Sequence, residues 1–385
     1  MTTKLISDKI ILADRLFSGF VYLEDGIIAE VSGIDKEADL TIDAGESYIS
    51  PGFIDLHTHG GGGSSFLTDS ADEIVDGVNF HLEHGTTTVL PTFSACDIPT
   101  LRAGLSALKE AMISGRMLAR VPGGHLEGPY LAPEMCGAQS TDFITAPIKE
   151  DYTSVLDDFG DCISRWTYAP ERDAEDEFAT ALVNRGILPS IGHSAAKYDD
   201  VLSAKDAGAR LITHLYSCTS TIVREGGFRK LGIIEAAYLL DDMYVEIIAD
   251  GKHLPPELIK LILKIKGTDR VALITDSLPI AGTPGLTGSL SGVPYLVEDG
   301  VCKLADRSAF AGSIATADRL IRTLTDEVGE DIVSAVKMLT RVPADILGID
   351  SGRIEEGAPA DLVIFDEKVN VSRVIVGGKT VFQKN

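Results

Sequence analysis

The stretch FIDLHTH, residues 53–59, is an apolar segment that ends in two histidines. Side chains two residues apart on a β-strand point to the same side, so the imidazoles of His57 and His59 project together. Similar apolar runs recur along the chain, separated by stretches with helical spacing. The strands predicted from this pattern are 53–59, 86–92, 123–128, 165–169, 188–193, 211–216, 244–250 and 271–276.

Strands that alternate with helices predict right-handed βαβ units, and eight such units close into a parallel barrel. A doubly wound open sheet is the alternative, but no glycine fingerprint for a dinucleotide follows the first strand. The two ends of the chain have a different texture, in which short strands are joined by tight turns. These terminal strands are predicted at 9–16, 20–23, 27–31, 362–365, 374–376 and 380–382.

The sequence therefore predicts an α/β protein with two units. Residues 53–349 would form a (β/α)8 TIM-like barrel that carries the chemistry. Residues 1–52 and 350–385 would form a small β-sandwich domain built from both termini. Later helices, at about 316–327 and 331–339, would connect the barrel to the terminal strands.

The charge of the chain excludes several classes of partner. The 385 residues carry 34 Lys and Arg against 58 Asp and Glu, a formal net charge of −24. Repulsion then opposes unaided binding to nucleic acid or to anionic membranes, and a phosphate-bearing substrate would need a local cationic pocket. Five scattered cysteines without a Cys-x-x-Cys pair, no signal-peptide core and no membrane-length apolar run predict a cytoplasmic protein.

Residues with metal-binding chemistry stand at the carboxyl ends of several predicted strands. A packed histidine pair, a helix cap or a solvated loop charge would explain each one singly, but structural histidines have no reason to prefer the same end of different strands. A barrel brings these ends to one mouth, and the ligand types suit one or two divalent ions, with zinc preferred over iron, manganese or cobalt. The candidates are His57, His59, Glu127, His193, His214 and Asp276.

Asp276 follows Leu273-Ile274-Thr275 at the end of the eighth predicted strand. An aspartate in this position can simply cap the next helix. Beside a metal it would instead accept a proton from an activated water and return it to a leaving group.

The order of the motifs adds a family resemblance. The chain resembles the N-acetylglucosamine-6-phosphate deacetylases of the amidohydrolase superfamily over nearly its whole length. The matching motifs are PGFID at 51–55, HLEGP at 125–129, GHS at 192–194, THLY at 213–216, IADGKH at 248–253, AGS at 311–313 and GAPAD at 357–361.

This resemblance implies hydrolysis of the acetamido group of an amino sugar phosphate. N-Acetylglucosamine 6-phosphate would be converted to glucosamine 6-phosphate and acetate. The resemblance also implies roles for the strand-end residues: Glu127, His193 and His214 hold the principal ion, His57 and His59 help to hold a second, and Asp276 is the general base and acid.

At the substrate end, the resemblance implies that His253 and Arg224 contact the phosphate. It further implies a homodimer in which Arg224 reaches the substrate of the neighbouring subunit. From the residues alone, Arg224 could equally be a solvated loop arginine. Two departures from the family pattern bear on specificity: Gln139 stands where a histidine commonly contacts the substrate carbonyl, and Ser217-Cys218 replaces a usual Asn-Ala pair.

These departures keep related substrates open, including N-acetylgalactosamine 6-phosphate. Cyclic-amide hydrolases of the same superfamily use a carboxylated lysine after the fourth strand, and residues 167–171 contain none. A non-sugar amidohydrolase, a deaminase and a non-catalytic scaffold remain alternatives, although a scaffold has no need to keep every candidate ligand.

Overall fold

The structure, a computed structural model, describes residues 1–384. Eight parallel strands neighbour one another in chain order, which confirms the predicted barrel. The barrel strands are Phe53–Thr58, Thr86–Ser94, Gly124–Glu127, Ile163–Tyr168, Leu188–Ile191, Leu211–Ile212, Tyr244–Ile248 and Val271–Ile274.

The barrel closes just beyond its first and eighth strands. The backbone N–H of Asp276 donates to the carbonyl of His57 at 2.9 Å, and the N–H of His59 donates to the carbonyl of Ser277 at 2.8 Å. Closure therefore falls at the carboxyl ends of the strands, the same level at which the predicted site residues stand.

A helix follows each barrel strand, as the alternating pattern predicts. Side-chain caps start the first two helices: Ser70 accepts from the N–H of Glu73, and Asp97 accepts from the N–H of Thr100. The helices are Ala71–Leu82, Ile98–Ile113, Lys149–Phe159, Glu177–Val183, Tyr198–Asp206, Ile233–Leu239, Pro256–Lys266, Ala317–Arg322 with a π-helical continuation Thr323–Val328, Ile332–Met338 and Arg341–Leu347, with short 3-10 turns at Pro133–Met135, Gly160–Cys162, Pro170–Arg172 and Ala174–Asp176.

Two apolar clusters hold the barrel together. The larger packs the helices against the outside of the strands. A smaller one joins strand residues such as Ile54, Leu90 and Ile274 to Val342 and Ile346 of the last helix. Because full burial of such a side chain stabilises the fold by about 1.5–3 kcal/mol, these clusters give the mouth of the barrel a rigid support.

Strands from both termini pair in one accessory sheet, as predicted. Strand Tyr48–Pro51 runs antiparallel to Leu362–Phe365 and so joins the two ends of the chain. The sheet has its own apolar core, which includes Leu5, Val21 and Ile364. Its strands are Thr3–Ile11, Leu16–Glu24, Ile27–Ser32, Leu40–Asp43, Tyr48–Pro51, Leu362–Phe365, Val371–Val376 and Lys379–Gln383.

The predicted terminal strand 9–16 is wrong, because a turn lies inside it. The first strand ends at Ile11 and the second begins at Leu16. The N–H of Leu12 donates to the carbonyl of Arg15 at 2.9 Å and closes the turn. The apolar residues on either side of this exposed turn belong to two paired strands, whereas the sequence pattern predicted a single strand.

Three insertions stand outside the predicted pattern. A hairpin of Val223–Glu225 and Phe228–Lys230 follows the sixth barrel strand, and a small hairpin of Gly60–Gly61 and Ser64–Ser65 follows the first. A four-stranded antiparallel sheet separates the eighth barrel strand from its helix; its strands are Thr287–Leu290, Val293–Glu298, Val301–Leu304 and Phe310–Gly312. Within residues 1–384, no helix has the length and apolar character needed to cross a membrane.

Candidate active site

The strand-end side chains predicted from the sequence meet around the carboxylate of Glu127. Its Oε1 lies 2.9 Å from Nε2 of His214, 3.0 Å from Nε2 of His193 and 3.4 Å from Nε2 of His57. Its Oε2 lies 3.2 Å from Nε2 of His59. All of these side chains are buried, so residues from four separate parts of the sequence share one small volume.

The hydrogen bonds of His193 and His214 direct lone pairs toward this volume. The Nδ1 of His193 donates to the carbonyl of Met135 at 2.8 Å, and the Nδ1 of His214 donates to the carbonyl of Ser217 at 3.0 Å. In the neutral imidazoles, both Nε2 atoms are then acceptors, and they lie 3.2 Å apart. Two lone-pair nitrogens and a carboxylate oxygen this close together require a cation.

These separations fit a transition-metal ion. Ligand bonds of about 2.0–2.1 Å in a tetrahedral zinc site place the ligand atoms about 3.3 Å from one another. The facing atoms of Glu127, His193 and His214 are 2.9–3.2 Å apart. Their Nδ1 hydrogen bonds to carbonyls are the usual second contacts of metal-binding histidines.

A second group of possible ligands overlaps the first. His57, His59 and Asp276 can each offer an atom to one ion, as can His57, Glu127 and His214. Oδ1 of Asp276 lies 3.3 Å from Nε2 of His59 and 3.6 Å from Nε2 of His57. The buried Nε2 of His57 has no hydrogen-bond partner among the described residues, an arrangement that is costly unless an ion or a proton occupies the site.

The electrostatics of the group show the same demand for positive charge. Burial lowers the pKa of His57, but Glu127 and Asp276 raise it to a net value of about 10. Burial raises the pKa of Glu127, yet His57 and His193 hold it well below its usual value. For Asp276, His57 and His59 likewise outweigh burial and lower the pKa. Both carboxylates are therefore ionised at neutral pH.

The backbone turns sharply at three of these positions. The φ angles of His193, His214 and Asp276 are 47°, 26° and 47°, all in the left-handed region. Few residues other than glycine adopt this conformation, and asparagine, aspartate and histidine are enriched among them. Strain of this kind clusters at functional sites, and here it occurs where strands give way to the loops of the barrel mouth.

The remaining predicted residues line one cavity of about 260 Å³ above the cluster, with one exception. Gln139, Ser217, Cys218 and His253 are all in its wall. The amide of Gln139 is already engaged, because its Oε1 accepts from the N–H of Ala95 at 2.8 Å and its Nε2 donates to Oε2 of Glu127 at 2.6 Å.

His253 is oriented by a nearby carboxylate. Its Nδ1 lies 2.9 Å from Oδ2 of Asp250, and its backbone N–H donates to Oδ1 of the same residue. Asp250 therefore fixes the ring so that Nε2 is the free nitrogen. Phe310, from the inserted sheet, packs edge-on against the His253 ring with centroids 5.0 Å apart.

Arg224 is the exception. It lies on the exposed hairpin, where it pairs in register with Arg229. Across residues 1–384, no lysine or arginine lines the cavity. A single chain thus brings the metal-binding candidates together with His253 but leaves the predicted phosphate arginine outside.

Sequence reasoning missed two charged residues beside the site. Glu246, in the seventh strand, faces Nδ1 of His57 at 3.0 Å, and Arg165, in the fourth, forms an ion pair with Glu246. Both are fully buried. The available signal was a charged residue inside each of two predominantly buried strands, Arg165 in ISRWTY and Glu246 in YVEII.

Comparisons with known proteins agree with this arrangement. The amidohydrolase family profile matches residues 48–381. N-Acetylglucosamine-6-phosphate deacetylase of Haemophilus influenzae is 31% identical over 344 residues, 88% of each chain. N-Acetylgalactosamine-6-phosphate deacetylase of Escherichia coli O157:H7 is 27% identical over 365 residues, 93% of each chain.

Solved structures show the same likeness in three dimensions. The crystal structure of N-acetyl-D-glucosamine-6-phosphate deacetylase from Mycobacterium smegmatis superimposes with a TM-score of 0.92 at 30% identity, over 99% of this chain and 100% of that one. The Thermotoga maritima N-acetylglucosamine-6-phosphate deacetylase gives 0.88 at 30% identity, over the whole of both chains. The chain therefore belongs to the amidohydrolase family, and its similarity to the N-acetylglucosamine-6-phosphate deacetylases extends over nearly its full length.

Proposed function

We propose that the protein is a metal-dependent deacetylase of N-acetylated amino sugar phosphates, with N-acetylglucosamine 6-phosphate as its first candidate substrate. The observation that carries the proposal is the convergence of Glu127, His193 and His214 on one point, with Asp276 beside the neighbouring His57 and His59. The relatives named for this activity match nearly the whole chain, which supports the choice of a linear amide.

Glu127, His193 and His214 would hold the principal ion, and His57 and His59 would help to hold a second. Histidine and carboxylate ligands suit zinc, which we propose first, and also iron, manganese or cobalt. When bound, such an ion supplies Lewis acidity toward water and toward an amide carbonyl.

Asp276 would move the proton. Its pKa is lowered by the neighbouring imidazoles, so it is a carboxylate at neutral pH and can accept a proton from the attacking water. The same group, once protonated, can deliver that proton to the amine nitrogen as the C–N bond breaks.

Recognition of the phosphate needs charge from outside one chain. His253 is the candidate phosphate contact in the cavity: Asp250 holds its Nδ1, so the protonated ring would present an Nε2–H that can donate to a phosphate oxygen. We propose that Arg224 of a second copy supplies the guanidinium in a homodimer. A guanidinium suits phosphate oxygens, and the net charge of −24 makes such a local cation necessary.

N-Acetylgalactosamine 6-phosphate is the second candidate substrate. Relatives named for that activity also match most of the chain, including that of Shewanella sp. at 30% identity over 86% of it. Ser217 and Cys218, which replace the usual Asn-Ala pair, line the cavity. We further propose a cytoplasmic location, which suits five cysteines that remain free thiols in the described chain.

The decisive experiment measures free acetate from a set of N-acetylated hexosamine phosphates and their unphosphorylated forms. We expect turnover of a phosphorylated N-acetylhexosamine and much weaker turnover of its unphosphorylated form. The Asp276→Asn variant should keep its metal content and lose acetate release. Acetate release at the unchanged rate by that variant would refute the role of Asp276, and equal turnover of both substrate forms would refute the phosphate site.

A further inference from the structure

A buried ion pair lies on the side of the His57 ring opposite to Glu127. The guanidinium of Arg165 forms a two-pronged contact with Glu246, with Nη1 2.6 Å from Oε2 and Nη2 2.9 Å from Oε1. Oε1 of Glu246 also lies 3.0 Å from Nδ1 of His57 and accepts the backbone N–H of His214 at 3.3 Å.

The other donors of Arg165 are satisfied by residues from other parts of the barrel. Its Nε donates to Oγ of Ser190 at 2.9 Å, and its Nη2 donates to Oγ1 of Thr213 at 2.7 Å. Its Nη1 is 3.4 Å from the carbonyl oxygen of Leu56. A network so completely paired holds Glu246 in a single orientation.

Stability alone does not account for this pair. Arg165 and Glu246 are both 0% exposed, so each loses its hydration on folding. Replacing a buried ion pair with apolar residues of similar volume is often neutral or stabilising. The pair must therefore be judged by what it does to its neighbour, His57.

His57 differs from the other candidate histidines in its Nδ1 partner. His193 and His214 donate to backbone carbonyls, and the Nδ1 of His59 faces Oγ of Ser94 at 3.0 Å. Only His57, among these four, faces a carboxylate. An ionised carboxylate can only accept, so the proton of neutral His57 must lie on Nδ1 and the lone pair on Nε2.

We propose that Glu246 and Arg165 are positioning residues for the ion. Glu246 fixes the Nδ1-protonated form of His57 and aims the Nε2 lone pair at the space between Glu127 and Asp276. Arg165 holds Glu246 and balances its charge. This inference rests on the ion-binding part of the proposed function, but it is independent of the substrate.

The test uses two double variants, each without a charge at positions 165 and 246, to separate an effect on ion binding from an effect on folding. In Arg165→Met with Glu246→Gln, an amide oxygen remains to accept from Nδ1 of His57; in Arg165→Met with Glu246→Leu, no acceptor remains. Ion-free proteins are titrated with zinc against a competing chelator, and thermal unfolding is followed in parallel. The control is Ser190→Ala, which removes a contact of Arg165 and leaves Glu246 paired.

We expect the Gln pair and the control to bind zinc within a few-fold of the unchanged protein. The Leu pair should bind about 10- to 100-fold more weakly, the usual effect of losing a second contact of a metal-binding histidine, while a cooperative unfolding transition shows that it still folds. Equal zinc affinity for the two pairs would overturn the proposal.

A measurement on the unsubstituted protein tests the same inference even if the variant with Arg165→Met and Glu246→Leu does not fold. With ¹⁵N-labelled histidine and bound zinc, nitrogen chemical shifts should show His57 protonated on Nδ1; protonation on Nε2 would overturn the inference. If no protein releases acetate but zinc affinity still depends on Glu246, the deacetylase proposal fails while this inference stands.

Discussion

The contact between Gln139 and Glu127 gives a quantitative prediction for ion binding. The Nε2 of Gln139 donates to Oε2 of Glu127 at 2.6 Å, while its Oε1 accepts from the N–H of Ala95. The backbone donor fixes which end of the amide faces Glu127. The substitution Gln139→Met keeps the length of the side chain and removes both hydrogen bonds.

Two costs follow from this change. A hydrogen bond to a charged group contributes about 1.5–3 kcal/mol, and each 1.4 kcal/mol is a factor of ten in affinity. Because a freed Glu127 can turn away from His193 and His214, we expect ion binding to weaken about 10- to 100-fold. The buried N–H of Ala95 loses its partner, which should lower the free energy of unfolding by about 1–3 kcal/mol.

The assay is a titration of ion-free protein with zinc in the presence of a competing chelator, combined with denaturant unfolding. Thr340→Val is the matched control, since it removes a buried hydrogen bond to the carbonyl of Val336 at 2.8 Å outside the cavity. The control should lose stability and keep its zinc affinity. If Gln139→Met binds zinc as tightly as the control, the view that Gln139 holds Glu127 for the ion is refuted.

Further expectations concern the ion, the interface and pH. Saturation with zinc at about 1,000 times the dissociation constant should raise the free energy of unfolding by about 4 kcal/mol, and a chelator should remove both this gain and acetate release. A mixture of Arg224→Ala and Asp276→Asn subunits should regain activity that neither variant has, because one site in each mixed dimer is complete; no recovery after subunit exchange is confirmed would exclude a shared site. Burial lowers the pKa of His81 from 6.5 to about 4. The neutral, buried ring of His81 therefore contributes to the free energy of unfolding above pH 6.5, and this contribution is lost as the pH falls toward 4. This loss is about 3 kcal/mol. His81→Gln, which can still donate to the carbonyl of Gly60, should lose less stability between pH 6.5 and 4 than the unchanged protein, and unfolding curves at both pH values would measure the difference.

The sequence was sufficient for the barrel and for the cluster around Glu127. Parallel strands put their carboxyl ends at one mouth, so the position of His193 or His214 at the end of an apolar run already places it near the others. The terminal sheet followed from its turns, although the alternating pattern ran through the turn at 12–15. The division of the chain at residues 52 and 349 stays a prediction.

Other features depended on contacts that a linear pattern does not contain. The sequence shows that a charged residue such as Arg165 or Glu246 lies within a strand, but it does not show whether the side chain faces solvent or the barrel interior. Only the ion pair between these two residues in the folded protein shows that they face the interior. The inserted sheet did carry a signal, since Asp299-Gly300 separates two of its strands in the same way that Asp25-Gly26 separates two strands near the start. The proposed phosphate contact of Arg224 involves a second copy of the chain, so the contacts within one chain do not test it.

The left-handed backbone at His193, His214 and Asp276 limits how this site can change by mutation. At such positions, valine, isoleucine or threonine would be rejected by their branched side chains before any catalytic defect mattered. In a saturation library, folding would favour glycine, asparagine, aspartate and histidine, and of these only the last two are strong metal ligands or bases. The backbone conformation therefore restricts the residue types tolerated at these positions to nearly the same small set that can bind a metal or act as a base.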